Sequence, residues 1–318
     1  MKAEIIADSV NPKGCRLTTY ILEYPRFIHA ELLTHRVFSK NAASSRAIPI
    51  EKMIEQVMEN PAMPVWWGKN QSGMQAKEEL DDTEKNILRP EYQFGYSLVD
   101  QGKAFITTRQ AAKEYWLRAR DVAIGQVKEL MKLGLHKQIA NRILEPWFNI
   151  RVILSGTEFE NFFALRAHPD AQPELQALAY LMLEEYNKSR PKLLQPGEWH
   201  IPFGDNIDSD RVFEQYVKNI PFHKVHINSI SEGKIKIAIA RCARVSYFNY
   251  EGRDDYTADI KLCDRLFSSI PRHLSPTEHV AQSTDDNKFI GNFRGWKQYR
   301  YEFADQSLSD DRVKKSGI

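Results

Sequence analysis

The sequence predicts an α+β fold, and three observations lead there. Strand-like runs rich in β-branched and aromatic residues occur at Leu17–Leu22 and Phe148–Leu154. A long stretch, 107–133, repeats apolar residues at helical spacing. The composition is that of an ordinary globular chain, 318 residues with 42% hydrophobic and 27% charged, which excludes disorder as the main state. At about 150 residues per domain this length suits two domains or one large one, with a sizeable core.

Pro25 closes the first strand, and Phe27–Leu33 suits a short helix ending near Thr34. Residues 34–49 are small and polar and read as a loop. The helical pattern returns at Glu51–Met58. Residues 59–105 lack periodicity. Pro61, Pro64, Trp66, Trp67, Gly68, Gly73 and the acidic run Glu78–Asp82 mark an irregular insertion, either a surface excursion pinned by aromatics or a lid or oligomer contact. In 107–133, Ala112, Trp116, Ala119, Val122, Ala123, Val127 and Leu130 line one helical face, and Gly134 stops it. A second helix runs from about His136 to Leu144 and is broken by Pro146. After the Phe148–Leu154 strand come a short helix at Glu158–Leu165 and a longer one at Pro173–Tyr186, with proline in its first turn. Pro191, Pro196, Gly197, Pro202 and Gly204 put a boundary within 190–210. Lys234–Ala240 alternates cleanly and reads as the best strand in the chain. Thr257–Ser268 is helical in pattern, Phe289–Phe303 is aromatic-rich and structured, and the last dozen residues are polar and frayed.

Lys and Arg number 44 against 42 Asp and Glu, a net charge of +2. That balance argues against a surface that coats nucleic acid or membrane, and leaves room for a local basic site for a small anion. No apolar run approaches the ~18 residues of a membrane span. No secretion signal is visible in Met1–Cys15. Cys15, Cys242 and Cys263 are odd in number and scattered, as expected of buried, inert thiols in a reducing cytoplasm. G-x-G, C-x-x-C, H-E-x-x-H and G-x-S-x-G are all missing, which excludes several dinucleotide, phosphate, zinc and hydrolase sites in their usual forms. His223 and His226 could share a helix face, yet without a nearby third ligand they read as a structural pair.

Three segments offer chemistry. In the polar loop, His35 and Arg36 precede Ser39, Asn41, Ser44, Ser45 and Arg46. Guanidiniums beside hydroxyls suit a phosphate dianion, although a capped loop with solvated arginines would look the same. Arg142, Asn161 and Arg166 form a second set, and arginine near a helix end is often simple dipole compensation. The third comprises Ala243–Ser246 (ARVS) and His273–His279 (HLSPTEH); by itself the latter could be an ordinary capped helix start. A faint internal echo links Phe27-Ile28 and Thr34-His35-Arg36 with Phe289-Ile290 and Gln298-Tyr299-Arg300.

Together these segments resemble the flavin-dependent thymidylate synthases. Thr34-His35-Arg36, seven residues, then Ser44 and Arg46 fit the family's R-H-R loop. Arg142 and Pro146 fit its Arg four residues before Pro. Asn161–Arg166 and Ala171-Gln172-Pro173-Glu174 fit N-F-x-x-L-R and A-Q-x-E. Ala243–Ser246 and His273–His279 fit A-R-V-S and H-x-[ST]-P-x-E-H. The blocks span roughly half the chain. In the family the last two come first, so the sequence looks like a circularly permuted relative with an insertion near 59–105. Thr34 replaces the first Arg of R-H-R, Ala42 an acidic or amide residue, and Glu31 a common Gln. Ser155 and Thr157 stand where Asn and Arg are frequent near the flavin, and Asp170 stands for a His.

The resemblance implies a mostly antiparallel sheet flanked by helices. It implies a nucleotide-binding part, 1–205, intertwined with a part, 206–318, carrying the ARVS and HLSPTEH motifs. It implies one-carbon transfer from methylenetetrahydrofolate to C5 of dUMP, with FAD as hydride carrier and NADPH as its reductant. No enzyme nucleophile is needed, so the protein's task is positioning and electrostatics. Carried over, Ser44, Arg46 and Arg142 take the nucleotide phosphate, and Arg166 takes the pyrimidine, with Arg166 and Ser44 as the catalytic pair. His35, Arg36, Asn161, Ser246, Ser275 and Glu278 contact flavin, with His273 in the flavin–folate region. No metal is expected. A cytoplasmic homo-oligomer, tetramer or dimer, follows, with sites between subunits. Two alternatives stand beside this. Glu31 would suit dCMP, because a carboxylate accepts from the cytosine amino group and opposes the uracil carbonyl; the product would be methylated or hydroxymethylated. Thr34, Thr157 and Asp170 would also suit a non-catalytic nucleotide-binding descendant.

Overall fold

The computed structural model describes residues 1–82, 84–85, 106–246 and 254–303. In chain order the first elements are β1 (Lys2–Val10), β2 (Arg16–Pro25), α1 (His29–Leu33), β3 (Ser39–Ala42) and α2 (Ile50–Glu59). Then come β4 (Glu84–Lys85), β5 (Ile106–Thr107), α3 (Thr108–Lys132), α4 (Lys137–Ala140), β6 (Asn149–Gly156), α5 (Glu160–Arg166) and α6 (Pro173–Lys188). The remainder holds β7 (Lys192–Leu193), β8 (Trp199–His200), α7 (Ser209–Gln215), α8 (Ser229–Val245) and α9 (Tyr256–Ser268). It ends with β9 (Ala281–Ser283), β10 (Phe289–Ile290), β11 (Phe293–Arg294) and β12 (Trp296–Gln298).

The central sheet has the order β3-β6-β2-β1-β7, and every pairing is antiparallel except β1 with β7. The mixed architecture and the mostly antiparallel sheet match the expected fold class. Strand periodicity sorts the side chains by face. Tyr20, Leu22 and Tyr24 on β2 join Ile150, Val152 and Leu154 on β6 in one fully buried layer. Leu32, Met53, Val57, Val127, Phe162 and Leu178 cover it from α1, α2, α3, α5 and α6. The opposite face carries Ile21 and Ile153, packed with Phe203, Cys242 and Val245. It also carries Thr19 and Ser155, directly opposite each other in register. A second core joins α7, α8 and α9 through Val212, Ile235, Ile239, Ile260 and Cys263. A small sheet, β12-β9-β8, lies beside it in sequence and holds His200.

Lys234–Ala240 is not a strand. It lies inside the 17-residue α8, where Ile235, Ile237, Ala238, Ile239, Ala240, Cys242 and Ala243 are all buried. A helix buried on nearly all sides loses its one-sided stripe. The two lysines then imitate strand alternation: Lys236 sits at the rim, paired with Asp264 of α9. Length and the alanines favour helix. The His136–Leu144 helix is likewise shorter: only α4 is α-helical, and Asn141–Trp147 continues as a 3₁₀ stretch containing Pro146. The polar loop 34–49 contains β3, and the N-terminal residues form β1, for which no element is predicted. His223 and His226 do not share a helix, since the 3₁₀ turn Phe222–Lys224 ends between them. Part of the 59–105 insertion is ordered against the fold. The Trp67 ring meets Trp116, which meets Trp147, and Gly68 pairs with Glu79 in an isolated bridge. Residues 83 and 86–105, and the polar C-terminal dozen, lie outside the described residues. Among the described residues, no helix is long and apolar enough to cross a membrane.

Candidate active site

The strip 35–46 runs along the sheet edge, because β3 pairs only with β6. At its start Arg166 Nε donates to His35 Nε2 at 2.9 Å. The His35 ring is wedged against Phe162, edge-on at 5.0 Å, and lies 6.2 Å from Phe38. Burial, then Arg166 and Lys40, push the His35 pKa down to about 4. A neutral ring can accept from Arg166, which fixes the His35 proton on Nδ1. The Arg166 fork is thereby oriented, with no described partner on its Nη groups. Lys40, on β3, donates to the His35 carbonyl, and burial lowers its pKa to about 8.

Farther along, alternate side chains of β3 turn toward the second half of the chain. Asn41 Nδ2 donates to the Cys242 carbonyl at 2.6 Å, and Ser246 Oγ donates to Asn41 Oδ1 at 3.3 Å. The Ser44 amide donates to the Ser246 carbonyl at 3.0 Å. The C-terminus of α8 is therefore stitched to the strip. Arg244 of this motif is not available to a ligand: it is buried, its Nε 2.6 Å from Asp259 Oδ1, tying α8 to α9. Ser39 Oγ accepts from Gln298 Nε2 at 2.8 Å, and the same amide donates to the Glu278 carbonyl at 3.0 Å. Glu278 itself is paired with Arg300. At the far end Ser45 Oγ donates to Glu145 Oε1 at 2.6 Å, and Arg142 lies 3.7 Å from the same oxygen.

The predicted residues thus fall into two sets. His35 with Arg166 and Ser44 with Ser246 are brought to one edge by direct hydrogen bonds, and Glu278 is joined to the same strip through Gln298. Arg142 joins Ser45 through Glu145, next to Ser44 and Arg46. Arg36, Arg46, Asn161, His273 and Ser275 are exposed, and Arg36 and Arg46 have no ion pair among the described residues. Glu31 is half-buried, and its Oε2 is buried without a hydrogen-bond partner. Ser155 and Thr157 are buried in the fold's own bonds, Thr157 Oγ1 accepting from the Arg294 amide. Gln298 and Arg300 are contacts that motif matching passes over; the faint echo around Gln298-Tyr299-Arg300 is the signal that points to them. Asn41 lies in the polar loop that the sequence already marks as a candidate site, and Glu145 carried no signal beyond its polarity.

The thiols are all free and buried. Burial raises the Cys242 and Cys263 pKa values well above the ordinary range, which removes their nucleophilic form. No cluster of three or more metal-ligating side chains occurs among the described residues.

A family profile described as "Thymidylate synthase complementing protein" matches residues 13–192. A flavin-dependent thymidylate synthase of Sulfurisphaera tokodaii is 30% identical over 147 residues, 42% of this chain and 54% of the relative. One from Saccharolobus solfataricus is 30% identical over 91 residues, 28% of this chain and 35% of the relative. The chain thus spans about half the length of the first relative and about a third of the second. Two solved structures are distantly similar. One is the flavin dependent thymidylate synthase ThyX from Helicobacter pylori complexed with FAD and dUMP, at 13% identity and a TM-score of 0.34. The other is the UMP/dUMP methylase PolB from Streptomyces cacaoi bound with 5-Br dUMP, at 18% identity and a TM-score of 0.37. Each match covers 54% of this chain and 67% of the other.

Proposed function

Because the chain belongs to the thymidylate synthase complementing protein family, we propose that it methylates dUMP at C5, using methylenetetrahydrofolate, FAD and NADPH. One observation carries the reading. The strip 35–46 is hydrogen-bonded to Ser246 and to Gln298, which holds the Glu278 carbonyl, while His35 orients Arg166. Segments far apart in sequence meet there, as a permuted family member requires. Permutation changes chain order while leaving spatial neighbours in place.

The donor set suits two anionic ligands, since exposed guanidiniums and hydroxyls supply charge-assisted donors. Ser44, Arg46 and Arg142 hold the nucleotide phosphate in this reading. Arg166 faces the pyrimidine and stabilises negative charge as C5 becomes nucleophilic. His35 serves this step by fixing Arg166. Arg36, Asn161, Ser246, Ser275 and Glu278 hold the dinucleotide together with His35, and His273 lies toward the folate. C5 bonds to the one-carbon unit and loses its proton, and tetrahydrofolate leaves. Reduced FAD, when bound, supplies the hydride that completes the methyl group. The inert thiols agree with a route that needs no cysteine nucleophile. A homo-oligomer, tetramer or dimer, is part of the reading.

A second reading has dCMP as substrate. The buried, unpartnered Glu31 Oε2 favours it, being an acceptor without a donor. The test is anaerobic incubation with FAD, NADPH, methylenetetrahydrofolate and equal dUMP and dCMP, read by nucleotide mass. A methyl gain on dUMP supports the first reading. A one-carbon gain on dCMP supports the second, and the mass distinguishes methyl from hydroxymethyl. No gain on either overturns both.

A further inference from the structure

A continuous chain of five buried side chains links the central sheet to the His273–His279 segment. Ser9 Oγ lies 2.9 Å from His200 Nδ1. His200 Nε2 lies 2.8 Å from Thr19 Oγ1. Thr19 Oγ1 lies 2.7 Å from Ser155 Oγ, and Ser155 Oγ lies 2.9 Å from His279 Nδ1. Ser9 is 5% exposed, His200 1%, and the other three 0%. His279 Nε2 is buried without a hydrogen-bond partner.

Proton counting restricts this chain. Burial pushes the His200 pKa down to about 4 and the His279 pKa to about 3, so each ring carries one proton at neutral pH. Each hydroxyl donates once. If His200 is protonated on Nε2, it donates to Thr19, Thr19 to Ser155 and Ser155 to His279 Nδ1. That order leaves His279 with a buried Nε2–H and no acceptor. In the reverse order His279 Nδ1–H donates to Ser155, Ser155 to Thr19, Thr19 to His200 Nε2 and His200 Nδ1–H to Ser9. The one unplaced proton then sits on Ser9, the most exposed member, and only a lone pair is left at His279. Orphaned buried N–H groups are rarer than under-satisfied acceptors. Of the two mixed arrangements, one has both rings donating inward and strands a hydroxyl proton at Thr19 or Ser155. The other has both hydroxyls donating outward, which leaves no proton between Thr19 and Ser155 and again buries an Nε2–H on His279.

We propose that Ser9, His200, Thr19, Ser155 and His279 form one directional hydrogen-bond chain that seats the His273–His279 turn on the sheet, with both histidines as Nδ1–H tautomers. Ser155 and His279 are then positioning residues, and Ser155 belongs to the protein's own chain rather than to a cofactor. The positioning role rests on the reading that Ser275 and Glu278 of this turn hold FAD. The tautomers do not depend on it.

Long-range ¹⁵N–¹H correlation spectra of ¹⁵N-histidine-labelled protein at neutral pH give the first test. Both His200 and His279 are expected as Nδ1–H forms; an Nε2–H form at either overturns the directional chain. Thr19→Val removes a hydroxyl that does not touch His279. It frees the Ser155 proton, so the His279 signal is expected to shift toward Nε2–H, while Thr19→Ser keeps the original pattern. An unchanged His279 signal in folded Thr19→Val also overturns the coupling. FAD titration gives the positioning readout: Kd rises about tenfold in Thr19→Val and stays within about twofold of the unmodified protein in Thr19→Ser. Equal affinity in both variants overturns the positioning role. If the unmodified protein binds no FAD, the flavin reading and the positioning role fail together, and the tautomers still judge the chain.

Discussion

Leu154 and Ser155 are neighbours on β6 and both are fully buried, yet they belong to different chemistries. Leu154 faces the helical layer with Tyr20, Leu22 and Val152, where any well-packed apolar side chain serves. Ser155 faces the second half of the chain, where its hydroxyl must find partners or cost stability. The apolar face needs only volume and shape from its neighbours. The polar face needs particular atoms at particular distances, contributed by residues 9, 19, 200 and 279. The two faces meet at β3, whose Ala42 joins the apolar cluster while Ser39 and Asn41 bond toward the polar side. The proposed site lies at that junction, so stability and positioning are separable by face.

The largest expected effect is at the junction. Arg166→Ala removes the proposed charge stabiliser while leaving both faces intact. Turnover should fall about a thousandfold, as for loss of a strong transition-state donor. The unfolding free energy should stay within about 0.5 kcal/mol of the unmodified protein, because the residue is only partly buried. Normal turnover would sink the assignment. On the apolar face, Leu154→Ala should cost about 3 kcal/mol in urea unfolding, from lost transfer energy plus a cavity. A cost below about 1 kcal/mol would mean that this layer is loosely packed and the contrast between faces is false.

Ser155→Ala comes next, at about 2 kcal/mol, because it leaves His279 Nδ1 and Thr19 Oγ1 short of a buried partner. A double substitution sharpens the comparison. Combined with Thr19→Val, Ser155→Ala should cost less than the sum of the two single changes, since they break one shared chain. Combined with Leu154→Ala on the opposite face, the costs should add more nearly. Equal additivity in the two pairs would remove the distinction.

This contrast also explains what could be read from the sequence. The apolar face was legible in its elements: β2, β6, α3 and α6 carry periodic or β-branched patterns, and their boundaries agree closely. On α3, however, the buried residues are Ala111, Ala123, Ile124 and Val127, while Ala119 and Val122 of the expected face are exposed. α8 was misread because burial on nearly all sides erased its stripe, so two lysines set the apparent period. β1 and β3 were missed because they are short of large apolar residues, and they are held by pairing to β2 and β6. Of the proposed site, Ser44, Arg166, Ser246 and Glu278 stand in spaced motifs of the sequence. Gln298 and Glu145 stand outside those motifs, because they act through distant partners: Gln298 reaches Ser39 and the Glu278 carbonyl, and Glu145 accepts from Ser45. Thr19, Ser155 and His200 were the least legible. Each is a single polar residue within an ordinary stretch, and its partner lies more than a hundred residues away.

The smallest expected effect is a proton count, and it tests the polar face directly. Burial holds His200 near 4 and His279 near 3, with Asp8 raising the first slightly and His200 lowering the second. His29, bonded to the Tyr24 hydroxyl, and His35 are also held near 4, chiefly by burial. In the unfolded chain these rings titrate near 6.5. Below that pH the unfolded state binds more protons than the native state, so stability falls as the pH falls. The stabilisation is fully present above about 6.5 and is lost progressively toward pH 4 to 3. Between pH 7 and 5.5 each ring should contribute on the order of 1 kcal/mol to that loss. His279→Gln cannot titrate, so urea unfolding at a series of pH values should give a slope about one proton smaller. His29→Gln should reduce the slope equally, although it sits with the apolar cluster. Of these two variants, only His279→Gln should also weaken FAD binding, because only His279 is joined to the turn that carries Glu278. An equal loss of FAD affinity in both would mean that the two faces are not separable, and that the turn responds to global stability alone.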